Sequence, residues 1–135
     1  MAELSPPRQI ELPKILDARG NLTFIQFPDH LPFAIARTFF IYDVPGDGIR
    51  GGHAYHQQWE LIIALSGSFT LRTQTGNQTQ NFYLRRPYSA VVIPPHSWRS
   101  MHDFSTNSLS LHLADRPYDA GDYIHEFSDY HRIYG

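Results

Sequence analysis

A chain of 135 residues has room for one hydrophobic core, so residues 1–135 are read as a single domain. It contains no cysteine, which excludes disulfide scaffolds, cysteine zinc sites and thiol nucleophiles, and it suits a reducing cytoplasm. With 11 basic residues against 13 acidic ones the net charge is −2, which offers no field for nucleic acid.

The start, Met1-Ala2-Glu3-Leu4-Ser5-Pro6-Pro7, has neither a cationic nor an apolar stretch, so no signal peptide is expected. The longest apolar run, Leu61-Ile62-Ile63-Ala64-Leu65, is far too short for a membrane span. Ten prolines, nine glycines and 14% aromatic residues favour strands and turns over helices.

In chain order, Ile10–Leu16 reads as a first strand, with Pro13 marking it as an edge. A turn at Asp17–Asn21 leads to Leu22–Phe27, and Ala36–Val44 is an aromatic strand carrying Phe39, Phe40 and Tyr42. After the turn Pro45-Gly46-Asp47-Gly48 comes Arg50–Tyr55, on which His53 and Tyr55 share one face. Trp59–Ser66 reads as a buried strand. Phe69–Thr73 and Gln78–Leu84 form a hairpin closed at Gly76-Asn77. Ala90–Ile93, Trp98–Phe104 and Ser108–Ala114 follow, the last alternating Leu109, Leu111 and Leu113 against Ser110 and His112. The tail predicts one short helix capped by Asp119. About ten short strands with no long helical period indicate an all-β jelly roll.

Eight histidines raise the question of a metal. His53-Ala54-Tyr55, then Glu60 and Gly67, resemble the first motif of the cupin superfamily, and Pro94-Pro95-His96-Ser97-Trp98-Arg99 resembles the second. The resemblance implies a double-stranded β-helix. Tyr55 and Arg99 stand at two of the four cupin ligand positions, and a guanidinium repels a cation, so the pocket is expected to be metal-free and without a cofactor. The other histidines (His30, His56, His96, His102, His112, His125 and His131) are assigned to the surface or to hydrogen-bonded core positions.

A closer resemblance spans nearly the whole chain. It is carried by Asp17-Ala18-Arg19-Gly20-Asn21-Leu22, Pro32-Phe33-x-Ile35-x-Arg37, Arg50-Gly51-Gly52-His53-Ala54 and Ala64-Leu65-Ser66-Gly67-Ser68-Phe69. Pro94-Pro95-x-x-Trp98, Asp103-Phe104-Ser105 and Tyr118-Asp119-x-x-Asp122-Tyr123-Ile124 add to it. Together these are similar to the sugar 3,4-ketoisomerases. The likeness implies an isomerase moving the ketone of dTDP-4-keto-6-deoxyglucose from C4 to C3 for deoxysugar biosynthesis. It also implies a homodimer able to exchange its N-terminal strand.

That chemistry needs a base, a donor for the enolate oxygen and a grip on the nucleotide. His53 is the expected base, because histidine ordinarily titrates near neutrality, and Tyr55 is the expected donor or relay. Arg19, Arg37, Arg50 and Arg99 are expected at the diphosphate. Trp98, Phe39 or Tyr123 would stack on the base. Glu60 either orients His53 or pairs with an arginine. The alternatives are a 3,5-epimerase of the same sugar, for which no Asp stands beside His53, and a non-catalytic nucleotide-sugar-binding cupin.

Overall fold

The computed structural model describes residues 4–135; Met1, Ala2 and Glu3, the first residues of the stretch without signal character, lie outside the described residues. Two five-stranded sheets face one another. The first has the order β1 (Arg8–Glu11), β9 (Ser89–Ile93), β6 (Glu60–Ser66), β11 (Leu109–Ala114), β4 (Arg37–Tyr42). The second has the order β12 (Tyr123–Ile124), β5 (Arg50–Tyr55), β10 (Ser97–His102), β7 (Phe69–Thr75), β8 (Gln78–Leu84). All the pairings are antiparallel. This is the expected jelly roll, with one short C-terminal helix, α1 (Phe127–Tyr134).

Because side chains alternate along a strand, β6 sends Glu60, Ile62 and Ala64 between the sheets and Leu61, Ile63 and Leu65 outward. The inward set packs with Val91 and Ile93 against Phe69, Leu71, Phe82, Leu84 and Met101 of the second sheet. The outward set is not left bare. Leu12, Leu31 and Phe33 of the N-terminal segment cover Leu61, Ile63, Val92 and Leu113. A strand buried on both faces reads as a continuous apolar run, which is why Leu61–Ala64 does, with Leu65 left exposed at its end. Burying each of Leu61, Ile62 and Ile63 is worth about 1.5–3 kcal/mol.

Three elements differ from expectation. The second strand, expected over Leu22–Phe27, is only Leu22–Thr23, because residues 24–27 leave the ladder and lead into the turn before Pro32. The first strand is broken: β1 pairs with β9, while β2 (Lys14–Ile15) turns away to form a separate ribbon with β3 (Leu22–Thr23). Leu12 is buried at the break, and Pro13 has no N–H to continue a ladder. The tail helix also starts later. Asp119 caps only a single 3₁₀ turn, Ala120–Asp122, its Oδ1 accepting from the Gly121 amide at 3.0 Å. The helix is docked through Tyr130, whose hydroxyl donates to the carbonyls of His96 and Gln74 and accepts from the Gly76 amide.

Candidate active site

The interior changes character along its length. At one end Phe69, Phe104 and Leu84 fill it. At the other end β4, β5, β6, β10, β11 and β12 enclose a cavity of about 420 Å³. His53, Tyr55, Glu60, Arg99, Phe39, Tyr123, Arg50, His112 and His125 are among its walls. Eight of the ten residues expected in the site from sequence lie on or beside this cavity: seven of these nine, and Arg37 at its edge.

His53 and Arg99 are register partners on β5 and β10, where the register shifts between Arg99 and Ser100. The irregularity needs Gly51, whose φ of 90° is unfavourable for other residues and whose added Cβ would lie 3.1 Å from the Arg99 carbonyl oxygen. The imidazole of His53 meets Tyr55 edge-on at 4.9 Å and Tyr123 at 5.3 Å between centroids. Its Nε2 is buried with no hydrogen-bond partner. Burial, reinforced by the nearby Arg99 charge, lowers its pKa to about 4 rather than leaving it near neutrality. The ring is therefore neutral at pH 7, able to accept a proton.

Arg99 is held from three sides. Its Nη1 donates to Glu60 Oε1 at 2.9 Å, its Nη2 donates to the Ser97 carbonyl at 3.1 Å, and its Cζ lies 4.8 Å over the Tyr55 ring. Both members of the Glu60–Arg99 pair are 1% exposed. Its Nε is left without a partner. Burial alone would push the Glu60 carboxyl up, but Arg99, with His112 behind it, outweighs this and brings it down to about 2. The pair joins the two sheets, and it answers the question left open in sequence: Glu60 binds an arginine.

The structure separates the remaining expected residues. Arg50 lines the cavity, and Phe39 stacks flat on His112 at 4.5 Å and 11°. Arg37 stands beside them, donating to Gln58 Oε1 at 3.1 Å with its guanidinium over Phe39 and Tyr118. Arg99 is buried and ion-paired, so it is not a free diphosphate ligand. Arg19 is exposed on a turn and bonded to Asp17, outside the cavity walls. Trp98 points the other way, against Phe127 and Tyr130 of α1, because it neighbours Arg99 on a strand whose faces alternate. Tyr55 is buried beneath Arg99 and Tyr123, and burial raises its pKa well above the ordinary tyrosine value. It stays protonated, so its hydroxyl keeps a proton to donate.

Two histidines were passed over in sequence. His125 lines the mouth, stacked on Tyr123 at 5.2 Å and 9°. His112 is 3% exposed, with Nε2 2.9 Å from Ser110 Oγ and Nδ1 3.6 Å from Glu60 Oε2. The alternation in β11 carried the signal, since it puts Ser110 and His112 on one face and the leucines on the other. Among the described residues no three His, Asp or Glu side chains converge as a metal site.

Comparison with known proteins fits this geometry. Residues 6–135 match the family model described as FdtA: WxcM-like, C-terminal. The chain is 34% identical over 121 residues to a TDP-4-oxo-6-deoxy-alpha-D-glucose-3,4-oxoisomerase of Aneurinibacillus thermoaerophilus, covering 90% of this chain and 87% of that one. A sugar 3,4-ketoisomerase of Thermoanaerobacterium thermosaccharolyticum, solved with TDP, superposes with a TM-score of 0.92 at 31% identity, over 95% of this chain and 93% of that one. A dTDP-4-dehydrorhamnose 3,5-epimerase of Bacillus anthracis shares the fold alone, with a TM-score of 0.78 at 16% identity over 87% of this chain and 76% of that one.

Proposed function

The chain belongs to the FdtA (WxcM-like, C-terminal) family, and from that premise we propose that it moves the ketone of a TDP-4-keto-6-deoxyhexose from C4 to C3. The observation that carries the reading is a neutral imidazole, His53, with an unpartnered Nε2 in the same cavity as a fixed guanidinium whose Nε is also free. His53 takes the proton from C3 and the carbonyl electrons move onto O4. Arg99 opposes that developing charge with a cation already in place. The O3 hydroxyl proton passes to O4 across the enediolate, and the His53 imidazolium returns its proton at C4 as the O3 electrons re-form a carbonyl at C3, so that C4 carries the hydroxyl. Every step is a proton transfer.

The ion pair with Glu60 leaves the cavity floor close to neutral, which suits the sugar. Arg50 and Arg37 are the cations left to meet the diphosphate, and Phe39 or Tyr123 offers a ring for the base. A nucleotide-sugar substrate supports a cytoplasmic location for the reaction. We further propose a homodimer formed through the ribbon side of the first sheet. There Ile15, Leu16, Leu22, Phe24, Ile35 and Leu65 are exposed, Leu16 by 74%, around an apolar cleft. A sedimentation mass of 15.6 kDa at micromolar concentration would contradict the dimer.

The test of the reaction is proton NMR of TDP-4-keto-6-deoxyglucose incubated with the protein in deuterated water. The 3-keto isomer should accumulate, and a folded His53→Asn protein should form it about 10²–10⁴ times more slowly. Exchange at C5 with the 4-ketone retained would indicate an epimerase instead. An unchanged sugar would leave only binding.

A further inference from the structure

Arg99 can stabilise an enolate only if its Nε–H is aimed correctly, since charge stabilisation depends on donors fixed before the reaction. Its two outer nitrogens are tied down by Glu60 and by the Ser97 carbonyl. The backbone holds one of these, but the other is the end of a carboxylate with rotatable bonds. What orients that carboxylate decides where the guanidinium points.

Glu60 Oε1 is taken by Arg99, and Oε2 has no hydrogen-bond partner. His112 Nδ1 lies 3.6 Å from it and is also unpartnered. The two are buried together on neighbouring strands, His112 on β11 pairing with Ile62 of β6. The imidazole is fixed independently of Glu60: Phe39 of β4 lies flat against it, and Ser110 Oγ is 2.9 Å from Nε2. The charged or titratable groups sharing its cavity are Glu60 on β6, His53, Tyr55 and Arg50 on β5, Arg99 on β10, Tyr123 on β12, and His125 just beyond β12. Among the described residues lining that cavity, only Glu60 is an anion.

We infer that His112 is a positioning residue for the isomerisation: it fixes the Glu60 carboxylate from the first sheet, and through it aims Arg99 at the enolate oxygen. The inference rests on the reaction proposed above. A 3.6 Å gap is longer than a hydrogen bond, so the role requires the contact to shorten when the ring nitrogen donates. The role separates rate from affinity. Arg50 and Arg37, which meet the nucleotide, touch neither His112 nor Glu60 through any hydrogen bond or ion pair in the structure.

The experiment compares the parent with His112→Leu and His112→Gln. Leucine keeps an apolar neighbour for Phe39 and removes the donor; glutamine restores a donor to Glu60. For His112→Leu, kcat should fall at least tenfold, with KM for the keto-sugar and calorimetric affinity for TDP within twofold of the parent. Part of kcat should return in His112→Gln. The Arg99 Nε–H resonance, observed by nitrogen-15 NMR, should shift or exchange faster with solvent in the leucine variant. A folded His112→Leu protein with kcat within twofold of the parent and an unmoved Arg99 resonance would overturn the inference. If that variant is poorly folded, the glutamine variant alone decides: a rate within twofold supports the donor role, and a tenfold loss with an unmoved Arg99 resonance refutes it. A parent protein without isomerase activity would instead refute the proposed reaction, so the two failures are distinguishable.

Discussion

Replacing Glu60 by glutamine exchanges an oxygen for an amide nitrogen and removes the anion paired with a buried guanidinium. Arg99 is 1% exposed and donates to Glu60 at 2.9 Å, so after Glu60→Gln it would be a buried cation with no counter-charge. Breaking a buried pair from one side costs about 3–5 kcal/mol. The acid–base linkage gives a similar figure. The Glu60 carboxyl, ordinarily near 4.5, is brought to about 2 in the fold. At ~1.36 kcal/mol per unit this is roughly 3 kcal/mol of stability. Since the folded value lies below the unfolded one, this stability is present in full above pH 4.5 and is lost as pH falls through 2. Unfolding entropy of ~2.1 cal/mol/K per residue then predicts a fall in Tm of roughly 10–18 °C at pH 7. Calorimetry across pH 2–7 is the assay. Glu60→Gln should lose the decline below pH 4.5 and keep the one between 6.5 and 4. That second decline comes from His53, which is neutral in the fold and titrates at its ordinary value when unfolded. Replacing both partners, as Glu60→Leu with Arg99→Met, should recover most of the lost Tm, because no charge is then left buried. A Tm for Glu60→Gln within 3 °C of the parent, with an unchanged acid decline, would refute the reasoning.

Three further outcomes are expected. The pH profile of kcat/KM should keep its acid limb near 4, because His53 stays neutral down to that value; a limb near 6.5 would show that the base is not buried as described. Trp98→Ala should cost about 2 kcal/mol, or roughly 7 °C in Tm, by undocking α1 while leaving TDP affinity unchanged; weaker TDP binding measured by calorimetry would return Trp98 to the site. Gly51→Ala should cost at least about 1–2 kcal/mol through its positive φ and lower turnover further, since the bulge that aims His53 must shift; a variant with parental Tm and rate would remove the bulge from the argument.

Strand positions were legible where the chain alternates or runs apolar between turns. Gln78–Leu84 falls where the turn at Gly76-Asn77 puts it, and Ala36–Val44 shortens only to Arg37–Tyr42. The break at Leu12-Pro13 was less legible, because a proline permits an edge strand as readily as it ends one. In the site, the residues placed by sequence are those whose neighbours along one strand decide their direction, such as His53 and Tyr55. Trp98 was misplaced against that same rule: adjacent to Arg99, it had to face the other way. The Glu60–Arg99 contact spans 39 residues and two sheets, and no local pattern encodes it. His112 was hidden for a different reason. Alternation shows that leucines and polar residues occupy opposite faces of β11, but not which face is inside.

That inversion explains how the fold sustains a polar interior. A barrel lined at one end by Glu60, Arg99, His112 and His53 gives up apolar contacts there and carries the desolvation of two charges. The loss is offset on the outer face of the same strands. Leu61, Ile63, Val92 and Leu113 are buried under Leu12, Leu31 and Phe33, which come from the segment between β1 and β4. The N-terminal segment is thus a second core that stabilises the walls from outside, leaving the interior side chains free to be selected for chemistry. The same layering accounts for the bare side of that sheet. Beside the β2–β3 ribbon, Leu16, Leu22, Phe24 and Leu65 remain exposed, and the homodimer proposed above would cover them. A second subunit on that face would bury the walls of the active site from behind, so dimer stability and the alignment of Glu60 with Arg99 are expected to fail together.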